Sequence, residues 1–169
     1  MQIPKRRSSL HRKHQERDDH LSASAISRIQ KTIQTIEDFE RPKAVEELTS
    51  AREMGDLSEN AAYSEAKARL ARLDGKIFSL KERLKHAVVI RPGADANGAA
   101  RIGSVVTVEI NGARRSYEIT GSLETDPAAG RVSHLSPVGK ALLAKKPGDT
   151  ATVKAASGKS VEYKIIDVS

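Results

Sequence analysis

From Ser22 onward the apolar positions step by three and four: Ile26, Ile29, Ile33 and Ile36. That spacing puts all four on one face of a helix. Pro42 falls in the continuation, and a proline ring crowds the carbonyl one turn back, so a kink is expected near Arg41. The pattern resumes at Val45 and Leu48 and runs out at Met54. A second run is longer and more regular. Tyr63, Ala66, Leu70, Leu73, Ile77, Leu80 and Leu84 alternate steps of three and four, the mark of a heptad seam, and the other faces carry Lys, Arg, Glu and Ser. A helix over about residues 59–85 would be roughly 40 Å long at 1.5 Å per residue. The connection between the two runs is short, so the helices must lie antiparallel. The expectation is a coiled-coil hairpin over residues 21–90 with its tip at residues 55–60.

The period then changes. "RPGADANGAA", residues 91–100, has the composition of a linker. Beyond it "SVVTVEI" and "RRSYEIT" alternate as strands do, and Asn111-Gly112 between them is a type I′ hairpin signal. "RVSHL" reads as a further strand. Ser136-Pro137 resembles a helix cap followed by proline at the first helical position, opening "VGKALLAKK". "TATVKAA" and "SVEYKIIDVS" make a closing hairpin. Residues 101–169 are thus expected to form a small, independently folding sheet domain with one short helix, and the fold class is α+β. Residues 1–20, "MQIPKRRSSLHRKHQERDDH", are rich in charge and nearly devoid of apolar side chains, which predicts a basic, flexible arm. Its histidines at 11, 14 and 20 have no evident scaffold to bring them together on a metal.

Composition narrows the function. With 169 residues, 38% of them hydrophobic, no Trp, three Tyr and two Phe, one large core is not expected. The absence of Cys excludes disulfides, thiol catalysis and Cys-ligated zinc. No apolar run approaches the roughly 20 residues of a membrane span, and no signal peptide is evident, so a cytoplasmic protein with no membrane partner is expected. The net charge of +7 favours a polyanionic partner or an acidic protein surface.

The tip reads "MGDLSENAAY", residues 54–63, with Asp56 and Glu59 three residues apart. One reading is structural: aspartate caps the second helix and the glutamate completes a capping box. The other is chemical. Two carboxylates one helical turn apart can share a Mg²⁺ ion or orient its waters, but two ligands do not complete an octahedral shell. A tip of this kind makes sense where another molecule supplies the rest of the site, and a narrow rod can reach into such a molecule. No Ser/His/Asp order, P-loop or HExxH motif offers a competing active site.

"GDLSENAAY" closely resembles the tip motif of the Gre family of bacterial transcript-cleavage factors, GreA and GreB. The resemblance continues through "RLDGKIFSLKERL" and resumes in "GRVSHLSPVGKALLAKKPGDTATV", covering most of residues 40–169. It implies an FKBP-like second domain without prolyl isomerase activity. It implies an accessory factor rather than an enzyme, one whose hairpin enters the secondary channel of a backtracked RNA polymerase. There Asp56 and Glu59 would help hold the second catalytic Mg²⁺ and position the attacking water, so that the polymerase hydrolyses its own transcript near the RNA 3′ end. The chemistry is that of a two-metal phosphodiester hydrolysis. No metal is expected to bind tightly to the protein alone. Arg52 and Lys67 occupy positions that contact extruded RNA in the family, although solvated charges making i,i+4 pairs are an equal reading. Ser136, Pro137, Leu142 and Leu143 match the region that docks at the channel entrance. A monomer is expected. The sequence departs from the family at Ala62, where an acidic residue is frequent, and "KARLARLDGKI" leans toward GreB. Two alternatives stay open: a regulator of the same shape that blocks the channel without supporting cleavage, and a basic coiled coil that binds RNA or DNA with no polymerase role.

Overall fold

The computed structural model describes residues 18–53, 61–154 and 160–169. Helix α1 spans Ala23–Thr35 and is capped by Ser22, whose hydroxyl accepts from the Ala25 N–H at 3.1 Å. A π-helical turn, Ile36–Glu40, runs directly into α2, Arg41–Glu53. Helix α3, Ala61–His86, returns antiparallel. The heptad seam is where the apolar pattern puts it: Ala66 is buried and Tyr63, Leu70, Leu73, Ile77, Leu80 and Leu84 are half-buried.

The first arm departs from the expected pattern at the π turn. Pro42 produces no break; it sits in the first turn of α2, immediately after the wider turn in which the Arg41 N–H bonds to the Ile36 carbonyl. A wider turn is the accommodation expected for a ring that would otherwise crowd the carbonyl of residue 38. The extra residue moves the inward face by one position. Ile33 and Ile36 are buried as expected, but beyond the turn the buried residues are Ala44 and Ala51, while Val45 is exposed. Small side chains at Ala44, Ala51 and Ala66 let the α2 and α3 backbones approach closely, so the outer half of the hairpin is thin. Ion pairs lace its sides: Arg41 to Asp74 at 2.8 Å, Glu47 to Arg69 at 2.6 Å and Glu37 to Lys81 at 2.7 Å. All are solvent-exposed, so each adds little stability and chiefly fixes the register of the two arms.

The expected arm boundary at residue 20 is corrected by the structure. Strand β1, His20–Leu21, pairs in parallel with β2, Val88–Val89, which closes the base of the hairpin. Leu21 is buried, and Asp18 and His20 lie against the sheet domain. Residues 91–100 likewise do not behave as a free linker. Asp95 accepts from the Asn97 and Ala99 N–H groups at 2.8 and 2.7 Å, Arg101 donates to the Gly93 carbonyl, and Ala100 lies in the core of the sheet domain. Turn-forming composition marks an irregular backbone; it does not show whether that backbone is anchored.

Among the described residues the sheet domain has five strands. These are β3, Val105–Ile110; β4, Ala113–Thr120; β5, Arg131–Ser133; β6, Thr150–Lys154; and β7, Ser160–Val168. Their order is β5-β4-β3-β7-β6, and among the described residues only β4 and β5 pair in parallel within this sheet. Asn111 and Gly112 both have positive φ, as the type I′ turn requires. The short helix α4, Pro137–Leu142, packs on the sheet, and Leu142 joins Val106, Val108, Ile119 and Ile165 in the buried core. Gly139 of α4 lies so close to β5 that a Cβ there would collide with the Ser133 carbonyl. Gly139→Ala is therefore expected to destabilise the domain by about 2–3 kcal/mol, the scale of an overpacked site, and urea unfolding followed by circular dichroism would measure it.

Candidate functional site

Three regions are described in turn: the flanks of the tip, the α4 region, and the joint between hairpin and sheet domain. Asp56 and Glu59 lie outside the described residues, between the end of α2 at Glu53 and the start of α3 at Ala61. What the structure describes is their support. Arg52, in the last turn of α2, and Lys67, in the second turn of α3, are both exposed. Neither makes an ion pair among the described residues. For Lys67 the i,i+4 reading fails on composition, since its neighbours four residues away are Tyr63 and Ala71. Ala62 is also exposed, so the place that is frequently acidic in the family presents a methyl group to solvent. Just below, a shallow groove between α2 and α3 carries Lys43, Glu46, Ser50, Glu65 and Arg69, charges of both signs.

The α4 region divides the four docking residues expected from sequence. Ser136 is the helix cap: its hydroxyl accepts from the Gly139 N–H at 3.0 Å and donates to the Ser133 carbonyl at 2.7 Å. Pro137 is exposed at the first position of the helix. Leu142 is fully buried in the core and cannot be a contact residue, which corrects its assignment to the docking face. The physical reason is helical phase: Leu142 and Gly139 share the inward side, three residues apart. Leu143 is half-buried and packs against the same core. The side chains offered outward here are Leu135, Pro137 and Lys140.

The joint was not evident in the sequence. Glu124, in the 3₁₀ turn Ser122–Glu124, has a side chain only 2% exposed and reaches across to the start of α1. It accepts from the Ser22 N–H at 2.7 Å and the Ser22 hydroxyl at 2.5 Å. Arg28 and Arg131 each place a guanidinium nitrogen 3.6 Å from the same carboxylate. Ser22 thus caps α1 and anchors it to the sheet domain with one hydroxyl. Beside this, the Ser122 N–H donates to the Asp18 carboxylate, and the His20 carbonyl leaves no room for a side chain at Gly121. These contacts join residues about one hundred positions apart, and no local pattern announces them. They set how the hairpin stands on the sheet domain.

Comparison with known proteins places this long two-helix arm fixed at its base to a small mixed sheet among transcription elongation factors. Residues 20–89 match the family described as "Transcription elongation factor, N-terminal", and residues 95–169 match "Transcription elongation factor, GreA/GreB, C-term". The chain belongs to the GreA/GreB family. It is 37% identical over 145 residues to "Transcription elongation factor GreA" of Chloroflexus aurantiacus, covering 85% of this chain and 92% of the relative. It is 39% identical over 143 residues to the protein of the same name from Streptococcus sanguinis, covering 83% and 89%. These relatives carry the GreA name, against the lean toward GreB read from the second helix. Among solved structures, the GreA factor homolog 1 protein of Thermus thermophilus aligns over 89% of this chain and 97% of its own, at 24% identity and a TM-score of 0.39. The GreA/GreB factor of Nitrosomonas europaea aligns over 89% and 96%, at 17% identity and 0.40. Superpositions this loose add nothing to the family assignment. Among the described residues no helix is long and apolar enough to cross a membrane.

Proposed function

We propose that this elongation factor inserts its hairpin into the secondary channel of RNA polymerase and stimulates cleavage of the backtracked transcript near its 3′ end. The observation that carries the reading is Asp56 and Glu59 in "GDLSENAAY", set at the turn of a thin antiparallel hairpin whose α3 alone runs 26 residues, about 39 Å. Carboxylate oxygens are the right donors for Mg²⁺, and two of them are too few to hold it alone, so the ion belongs to the polymerase active site. When bound there, the second Mg²⁺ supplies charge stabilisation for phosphodiester hydrolysis. Asp56 and Glu59 complete its surroundings and orient water. Exposed Arg52 and Lys67 on the flanks meet the extruded RNA backbone. The sheet domain docks at the channel entrance through Ser136, Pro137, Leu143 and the neighbouring exposed Leu135. The factor works in the cytoplasm as a monomer.

The test is a stalled, backtracked elongation complex. Adding the protein is expected to yield a shortened transcript that resumes extension when nucleotides are supplied. The protein alone is expected to leave free RNA intact in Mg²⁺, because its two carboxylates do not make a complete metal site. Appreciable cleavage of naked RNA by the purified chain would overturn this division of labour. Exposed Ala62 favours a second reading, a channel-blocking regulator, which predicts slowed elongation and no new 3′ end in the same assay. The nucleic-acid-binding alternative predicts salt-sensitive binding to free RNA or DNA without polymerase.

A further inference from the structure

Asp18, His20 and His134 lie outside the machinery of cleavage, and the fold brings them together from distant parts of the chain. Asp18 and His20 precede α1; His134 follows β5. Each offers one ligand atom, and these atoms lie within 4.8 Å of one another. Asp18 Oδ1 is 3.1 Å from His20 Nδ1, and Asp18 Oδ2 is 3.6 Å from His134 Nδ1. A tetrahedral ion with bonds of 2.0–2.1 Å holds its donors about 3.3 Å apart, close to the 3.1 Å between Asp18 Oδ1 and His20 Nδ1. The side chains of Asp18 and His134 are 5% and 13% exposed, and that of His20 is 34% exposed, which leaves an open side for a water ligand. The two imidazoles meet edge to face at 5.0 Å, and among the described residues neither Nε2 has a hydrogen-bond partner.

Charge suits the site as well. Burial pushes the Asp18 carboxyl up, but hydrogen bonds from Ser122 and His20 outweigh it and hold it below the usual carboxylate range. The aspartate is therefore an anion at neutral pH. Its neighbours in space are the two imidazoles, whose neutral form is a ligand. Two imidazoles and a carboxylate select a borderline divalent transition ion over Mg²⁺ or Ca²⁺, which take oxygen donors.

We propose that Asp18, His20 and His134 bind a divalent transition ion of the Zn²⁺ class, with water completing the shell, and that the ion clips the base of the hairpin to the sheet domain. Binding replaces the His20 contact on Asp18 and the 3.3 Å contact of His134 with the Thr120 carbonyl. The Thr120 carbonyl keeps the His134 backbone N–H at 3.0 Å when the ring turns to the ion. The ion adds a cross-link between the base of the hairpin and the sheet domain.

The test uses the full, untagged chain, stripped of metal and kept at pH 7.5. Titration with Co²⁺ is expected to develop visible d–d absorption that Zn²⁺ abolishes, and competition against a chromophoric chelator gives the affinity. His20→Ala and His134→Gln are each expected to weaken Zn²⁺ about 10-fold or more, with circular dichroism confirming that they fold. His11→Ala/His14→Ala and His86→Ala are expected to bind as the parent does. Zn²⁺ is expected to raise the Tm of the parent and not that of His134→Gln. Absence of the Co²⁺ bands, or binding that survives loss of His20 and His134 and disappears with His11 and His14 or with His86, would overturn the proposal.

Discussion

Asp56→Asn is expected to slow stimulated transcript cleavage about 100- to 1,000-fold, a loss of roughly 3–4 kcal/mol in transition-state stabilisation, while leaving affinity for RNA polymerase nearly unchanged. Docking and chemistry are proposed for different parts of the chain, with Leu135, Pro137 and Leu143 in the sheet domain and Asp56 in the segment between α2 and α3. Asparagine keeps the size of the side chain and can still cap a helix, so the fold survives. What it removes is a negative oxygen ligand. Glu59→Gln is expected to act in the same direction, and the double variant to cost less than the sum, because both serve one ion. The capping-box reading predicts the reverse pattern, slight instability with cleavage preserved. Cleavage rates in a backtracked complex and affinities for polymerase, measured on the same three variants, distinguish the two. A wild-type rate in Asp56→Asn would return the pair to the status of a helix cap.

Glu124→Ala is expected to lower the stability of the full chain by about 3 kcal/mol, the cost of removing a buried, charge-assisted acceptor from partners left behind. The Ser22 N–H and hydroxyl lose their acceptor together, and Arg131 loses the carboxylate 3.6 Å from its guanidinium. Arg28 is largely exposed and contributes little. For a chain of this size the change corresponds to roughly 6–12 °C in Tm. Because Ser22 is also the cap of α1, fraying is expected to begin at the base of the hairpin. In function the variant is expected to need more protein for half-maximal cleavage yet reach the parental rate at saturation, since the tip is untouched. Unfolding by urea and a titration of the backtracked complex would check the two halves. Unchanged stability would mean that Glu124 is dispensable to the joint.

Much of this molecule was legible from periodicity. The seam from Tyr63 to Leu84 needed only a count of threes and fours, and the Asn111-Gly112 turn needed only the rarity of positive φ. The errors have physical sources. Val45 is apolar and so reads as inward, yet a count of threes and fours from Ile36 reaches Glu40, Lys43 and Glu47, and the residue added by the π turn hands the inward face to Ala44 and Ala51. Motif resemblance puts Leu142 on the docking face because it names a segment and not which of its side chains turn outward. The joint of Ser22, Glu124 and Asp18 was invisible for a different reason. It is made of isolated polar residues whose meaning arises only once the sheet has brought residue 124 beside residue 22. The tip carboxylates rest on motif resemblance alone: periodicity says only that they fall between two helices, and they lie outside the described residues.

The π turn at Ile36–Glu40 has a consequence for how such a chain can change over generations. Dropping one residue there would restore an unbroken α-helix, and Ala44 and Ala51 would fall into step with Ile33 and Ile36 without any other alteration. Yet that same loss would press the Pro42 ring against the preceding turn, at a cost of about 3 kcal/mol. Replacing Pro42 alone would leave a widened turn with nothing to accommodate. The spare residue and the proline are therefore an epistatic pair, each tolerable because of the other, and a lineage is free to discard them together far more readily than one at a time.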